Sequence, residues 1–353
     1  MPINTVAELR AHISLATKVE LSTIPPYLYA MYSIQDRQSE ASRLIASVVV
    51  EEMLHAALTT NLLLAVGGEP DFGAAAVPSH PGFLAHHKPP LRLELRRCSL
   101  EVVRNTFMTI ERPQAAGAIP EDDDFETLGQ FYAALEVALA ELDATHPLFA
   151  DHQPHRQLAD PSFYAPVAFD AADSGGLMLI SDLNSANRAL EVIIHQGEGV
   201  GTARWADPLH LELTHFHKFA QIADGLVPLG PVWPMADNPR AADFPADLRP
   251  VSDLFNALYA LTFLTMADLF SGTVDQKARI GRLYALMSQC LTPTGRYLAA
   301  QPLTATTTAG PTFEVYDLGA DPWPTAYGVA AAAAEHHPGL AGVAAALARY
   351  AAG

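Results

Sequence analysis

The residues best suited to chemistry are Glu and His side chains that recur at helical spacing. Glu52 and His55 form a Glu-x-x-His sequence, and Glu212 and His215 form a second one. Because side chains three residues apart lie on the same face of a helix, each pair can present a carboxylate and an imidazole to one metal ion. Carboxylates neutralise and bridge hard cations, while imidazole adds a firmer terminal ligand. The two copies therefore predict a site for two metal ions.

Two further helices are expected to supply single carboxylates. Glu20 continues the apolar stripe of the first helix, and the helix before the second Glu-x-x-His carries Glu191, His195 and Glu198. Glu198 is the expected ligand there, with Glu191 and His195 in reserve, although this polar stripe could equally be a solvated face. One Glu from each of two helices, with Glu-x-x-His from each of two others, is the ligand set with which four-helix bundles hold two iron or manganese ions.

Burial explains why a metal is expected. The stripe that contains Glu52 and His55 is otherwise apolar, and a buried carboxylate without a partner is costly. A cation compensates several such groups at once. Glu51 has the alternative of pairing with His55 on a solvated flank, so Glu52 is the preferred ligand.

The elements that must position these residues are predicted from periodicity and capping signals. The expected helices are Thr5 to Tyr32, Ser39 to Val66, Ser99 to Glu111, Thr127 to Leu142, Ser185 to Val200, Asp207 to Ala223, Ser252 to Phe270 and Gln276 to Ala299. Thr5 and Glu8 form a capping box, Pro25-Pro26 predicts a kink or break, and residues 67–97 are expected to wrap around the bundle as a loop.

Alternating strand patterns are almost absent, so the predicted class is all-α: a four-helix bundle with extra C-terminal helices and long wrapping loops. Residues 1–314 are expected to form the metal-binding domain, including the additional helices of 252–299. Residues 315–353 form an Ala-rich tail in which helix is also expected.

Composition narrows the functional classes. Lys and Arg number 21 against 39 Asp and Glu, a net charge of −18 that disfavours nucleic acid and anionic membranes as partners. The apolar run from Leu44 to Val66 carries Glu51, Glu52 and His55 at its centre, which disfavours a membrane span. Two cysteines and no recognisable export signal predict a cytoplasmic protein.

Several segments together resemble the ferritin-like domain of VioB-type proteins, the iminophenylpyruvate dimer synthases of bisindole pathways. The segments are Glu20 to Ala30, Val50 to His55, Gln196 to Gly199, His215 to Phe219 and Ala309 to Glu314. The resemblance implies a ferritin-like bundle with metal-dependent oxidative chemistry and carries the ligand pattern onto Glu20, Glu52, His55, Glu198, Glu212 and His215. The sequence Ile110-Glu111-Arg112-Pro113 is also similar to a family element, which makes Glu111 a reserve ligand.

The expected function is that of a non-haem dimetal oxidase or oxygenase. It would use two iron ions, or alternatively manganese, with O2 as co-substrate and a small, amino-acid-derived substrate of secondary metabolism. A manganese-catalase-like peroxide dismutase and a non-enzymatic metal-storing or structural bundle are the alternatives. A homo-oligomer and an association with another enzyme of the pathway both stay open.

Overall fold

Helices make up nearly all the regular structure in the computed structural model, which describes residues 3–115, 117–121, 123–167, 175–197 and 213–351. In chain order they are α1 (Val6–Ser33), α2 (Glu40–Ala65), α3 (Leu100–Val102 and Met108–Ile110, joined by a π-helical turn at Val103–Phe107), α4 (Leu128–Asp143), α5 (Leu183–Gly197), α6 (His215–Ala223), α7 (Arg249–Leu269), α8 (Gln276–Ala285 and Thr292–Ala299, joined by a π-helical turn at Leu286–Leu291), α9 (Pro322–His336) and α10 (Ala341–Ala351). Two short strands, β1 (Gly82–Phe83) and β2 (Arg92–Leu93), pair antiparallel. The all-α prediction is confirmed.

The pair α1 and α2 forms the centre of the molecule. The predicted capping box begins α1, since the Thr5 hydroxyl accepts from the Glu8 amide at 3.2 Å and the Glu8 carboxylate accepts from the Thr5 amide at 2.9 Å. A kink or break was predicted at Pro25-Pro26, and the break is wrong, because both prolines are buried inside a continuous α1. Dense burial around them, including Tyr27, offsets the backbone hydrogen bonds that the prolines remove.

Along one half of this pair, α4 and α5 complete a four-helix bundle with α1 and α2. α4 packs on α1, α5 packs on α2, and α4 and α5 pack on each other. The His12 ring lies 6.4 Å from that of Phe131, which places α4 against the N-terminal half of α1. Around the other half, Tyr27 of α1 contacts Phe107 of α3 and Phe219 of α6, with ring centroids 4.7 and 5.2 Å away. The long helix pair thus carries different neighbours along its two halves.

One predicted helix is wrong because it is not continuous, although its predicted start at Asp207 lies outside the described residues. The sequence favoured a helix from Asp207 to Ala223, but Leu213 and Thr214 are not helical and α6 begins at His215. Thr214 is the N-cap, and its hydroxyl accepts from the His217 amide at 3.3 Å. A side chain that satisfies a free amide in this way favours a helix start at that position over a continuous helix.

The C-terminal helices form a second layer beside the bundle. α7 packs against α8 and α9, the second half of α8 packs on α1, and α9 packs on α10. The tail is therefore helical, as expected, while a domain boundary at residue 314 stays a prediction. α2 is long and apolar enough to cross a membrane by length and composition, but 83% of its most apolar 18-residue window is buried inside the protein, as for a core helix.

Candidate metal centre

Five ligand-type side chains meet at the centre of the bundle: Glu20, Glu52, His55, Glu111 and His215. None is more than 2% exposed. They form two triads, Glu20 with Glu52 and His55, and Glu52 with Glu111 and His215. Within each triad the candidate ligand atoms lie within 4.8 Å of one another. Glu52 belongs to both triads, so it would be a ligand common to both ions if two were bound.

Different kinds of local structure deliver these residues. Glu20 lies in the middle of α1, and Glu52 and His55 lie one turn apart on the inner face of α2. Glu111 is the residue at which α3 ends, and His215 is the first residue of α6. Two long helices therefore hold three members of the cluster, and two helix ends bring the others to it.

His215 carries the clearest sign of a missing partner. Its Nε2 lies 2.9 Å from Glu51 Oε2 and donates to it, so the other ring nitrogen, Nδ1, faces the cluster. Nδ1 lies 3.0 Å from Glu52 Oε1 and 3.3 Å from Glu111 Oε2, yet it makes no hydrogen bond. A fully buried nitrogen in this state is costly. A metal ion beside these two carboxylates would satisfy it, so the residues fit the group that this donor set implies.

Glu51 supports His215 from outside the cluster. It is 1% exposed, and both of its oxygens lie 2.6 Å from the ammonium of Lys218, which is fully buried. Burial raises the pKa of Glu51, but Lys218 and His215 outweigh it and hold that pKa at about 2. The interpretation of Glu51 as part of a solvated flank is wrong. A carboxylate behind a ligand histidine fixes the ring and raises its basicity as a ligand.

His55 has an equivalent arrangement. Its Nε2 donates to Gln196 Oε1 at 2.9 Å, and its Nδ1 lies 3.4 Å from Glu20 Oε2. The His55 and His215 rings stack with centroids 5.3 Å apart. Each imidazole therefore turns one nitrogen towards the carboxylates and anchors the other on an outer residue.

Hydroxyl groups surround the carboxylates. Thr23 donates to Glu52 at 3.1 Å, Tyr27 donates to Glu111 at 2.5 Å, and Tyr132 donates to Glu20. Burial, together with the negative charges of Glu20 and Glu111, raises the pKa of Glu52 well above its usual value. Burial and the same carboxylates also raise the pKa of Tyr27 and keep its phenol protonated. Such crowding of acidic groups calls for added positive charge.

The structure brings together four of the predicted ligands, Glu20, Glu52, His55 and His215, and adds the reserve residue Glu111. The other two reserve residues do not join them: Glu191 is exposed and His195 is half-buried, because the polar stripe of α5 faces away from the cluster. Glu198 and Glu212 lie outside the described residues, so their roles stay predictions.

Sequence reasoning missed several residues that surround the cluster and hydrogen-bond to its members or to Glu51. Gln196 is buried in line with Ala189 and Ile193 on α5, a periodic signal that would have identified it. Tyr132 lies on the buried face of α4 in the same way. Lys218 had no such signal, because a charged residue at that position reads as a solvated one until its buried partner is known.

Comparisons with known proteins agree with this architecture. A family model described as ferritin-like matches residues 13–224. The chain is 24% identical to dichlorochromopyrrolate synthase of Lentzea aerocolonigenes, over 89% of this chain and 36% of that protein. It is 23% identical to 2-imino-3-(indol-3-yl)propanoate dimerase of Chromobacterium violaceum, over 88% of this chain and 34% of that protein. The chain thus spans about a third of the length of these two relatives, and its resemblance to the VioB type is confirmed as a distant one.

A solved structure shows the same fold. The crystal structure of a ferritin-like protein from Caulobacter vibrioides superposes with a TM-score of 0.60 at 24% identity, covering 87% of this chain and 99% of that one. Its bundle supports the helical arrangement described above. With a family match that spans more than half of its length, the chain belongs to the ferritin-like family.

Proposed function

We propose that this protein is a non-haem dimetal enzyme. Specifically, we propose an iron-dependent oxidase or oxygenase that uses O2 on a small, amino-acid-derived substrate. One observation carries the proposal: two buried triads of ligand-type residues share Glu52, and the His215 Nδ1 at their centre has no hydrogen-bond partner. Storage bundles and peroxide dismutases also use carboxylate and imidazole ligands, so the experiment below separates these three functions.

The two proposed ions would divide the cluster between them. Glu20, Glu52 and His55 would hold one, and Glu52, Glu111 and His215 would hold the other. When bound, such a pair of ions supplies Lewis acidity and the redox electrons for oxygen chemistry.

The chain's own groups provide orientation, proton donors and exclusion of water. Lys218 and Glu51 fix the His215 ring, and Gln196 fixes the His55 ring. The phenols of Tyr27 and Tyr132 hold protons at the oxygens of Glu111 and Glu20.

A void of about 10 Å³ adjoins the cluster. Its walls include Gly129, Gly197 and Ile193, together with the carboxylates and Tyr132. That volume admits roughly one water-sized molecule, which suits a small gas. A methyl group at Gly197 would lie 3.6 Å from Glu111 Oε2 and would reduce the void.

The two curated relatives suggest the substrate class. One is named for the dimerisation of 2-imino-3-(indol-3-yl)propanoate and the other for the synthesis of dichlorochromopyrrolate. An imino acid of secondary metabolism is accordingly the proposed substrate, formed in the cytoplasm by a partner enzyme that oxidises an amino acid.

The test combines metal analysis with turnover. Protein loaded anaerobically with ferrous iron should bind about two ions per chain and should convert an imino acid, generated in place by an amino-acid oxidase, to a product seen by mass spectrometry. The reaction without this protein is the control. Absence of stoichiometric iron or manganese would refute the proposal. Many ions per chain would identify storage, and steady release of O2 from peroxide would identify a dismutase.

A further inference from the structure

A large cavity lies on the side of the α1 and α2 pair that faces away from the metal cluster. It has a volume of about 570 Å³ and lies between the outer faces of α1 and α2 and the helices α7 and α8. On α2, Ala46, Met53 and Ala57 face this cavity, whereas Glu52 and His55 face the cluster. α2 therefore lies between the cavity and the metal cluster.

The cavity is long, and the charged residues of its lining stand at one end only. Its lining follows α2 from Ser42 to Ala57, a span of roughly 22 Å at the helical rise per residue. The walls are aliphatic and aromatic, and the rings of Phe72 and Phe270 stack 5.7 Å apart beyond the Ala57 end. The π-helical turn of α8 contributes Met287 to the wall, and such turns are frequent at functional sites.

Three arginines stand at the Ser42 end of the lining: Arg37, Arg43 and Arg296. Arg37 and Arg43 are exposed at the mouth of the cavity, and among the described residues none of the three has a carboxylate partner, in a chain whose net charge is −18. Arg296 is half-buried and donates to the Ile34 carbonyl at 3.2 Å and to the Ser42 hydroxyl at 3.1 Å. A guanidinium has five N–H donors, so donors remain for an anion.

We propose that this cavity binds a long-chain monocarboxylate, with the alkyl chain along α2 and the carboxylate at the three arginines. The length, the apolar walls and the single charged end fit a linear amphiphile better than a compact polar molecule. Guanidinium groups match carboxylate geometry. The inference does not depend on the metal cluster or on the proposed oxidative function.

Calorimetric titration of the intact protein with laurate tests the proposal. Saturable binding of about one laurate per chain is expected. From octanoate to laurate, binding should tighten roughly fourfold for each added methylene. Dodecanol, which lacks the charge, should bind about tenfold more weakly or worse. Equal binding of laurate and dodecanol, or tighter binding of a compact aromatic carboxylate such as indole-3-acetate, would overturn the proposal.

Variants locate the site. Arg296→Met and Arg43→Met should each weaken laurate binding roughly tenfold. Val50→Phe, at a lining position roughly 12 Å along α2 from Ser42, should remove the gain from longer chains. Arg97→Met makes the same change of charge at an exposed position outside the lining and should leave the affinity unchanged. Arg296 also supports the fold, so Arg43→Met decides the question if Arg296→Met unfolds. Unchanged affinity in Arg43→Met would contradict the proposal.

Discussion

Glu52 differs from the rest of the cluster because both triads include it. In the proposed centre, Glu20 and His55 would hold only one ion, and Glu111 and His215 only the other. Loss of the Glu52 carboxylate should therefore remove more metal than loss of the Glu20 carboxylate. This difference distinguishes a shared centre from two independent sites.

We expect Glu52→Gln to lose both ions, because the amide keeps the shape of the side chain but removes the bridging charge. Glu20→Gln should retain about one ion per chain. Elemental analysis after ferrous loading measures the difference. Glu191→Gln, at an exposed position of α5, is the matched control and should retain the wild-type content. Equal metal loss in Glu52→Gln and Glu20→Gln would contradict the shared carboxylate.

Lys218 matters because its charge is buried against that of Glu51. Lys218→Met leaves the buried Glu51 carboxylate with His215 as its remaining partner, without the ammonium that offsets its charge, and should lower the free energy of unfolding by about 3–5 kcal/mol. The double variant with Glu51→Gln removes both charges while keeping an acceptor for His215, so it should recover much of that loss. Urea unfolding of the three variants measures the coupling. A Lys218→Met variant as stable as the wild type would show that the pair is not buried in solution.

At the scale of elements, the packing of α8 on α1 allows a sharp test. A Cβ at Gly295 would lie 2.5 Å from the Tyr32 ring, whereas a Cβ at Gly281, in the same helix, meets nothing within 4 Å. Gly295→Ala should therefore destabilise the protein by about 1–3 kcal/mol through overpacking. Gly281→Ala should stabilise it by about 0.5–1 kcal/mol, because Ala is the better helix former.

Denaturant midpoints of the two variants should shift in opposite directions. A Gly295→Ala variant as stable as the wild type would mean that α8 can shift away from α1 at little energetic cost.

Helix periodicity located the cluster residues that lie within long, regular stripes. Glu20, Glu52 and His55 were predictable because α1 and α2 run without interruption through the core. Glu51 was misjudged because α2 is buried almost all round, so that it has no solvated flank for the pattern to mark. Glu111 came only from a family resemblance, since a residue at a helix end follows no stripe.

Metal binding should stabilise the whole molecule, because the cluster connects several helices. Ligands come from α1, α2, α3 and α6, so bound ions would cross-link four helices. Binding to the folded state alone adds about 2.7 kcal/mol of stability per site when the free ion is at 100 times its dissociation constant.

We therefore expect iron loading to raise the melting temperature, and a chelator to reverse the increase. Glu52→Gln should show no increase at the same iron concentration, because neither ion is then held. Calorimetry or circular dichroism measures these shifts. A wild-type melting temperature that does not respond to iron would contradict a metal held by the folded cluster.

The helix ends at the cluster have a consequence for how such a protein can diversify. Glu111 lies where α3 ends and His215 where α6 begins, so connecting segments adjoin two members of the cluster. Segments inserted at these points would alter what surrounds the cluster, while α1 and α2 keep Glu20, Glu52 and His55 in place. Selectivity and reactivity can therefore be varied separately, and exchange of these connecting segments between relatives is a rational route to new substrates.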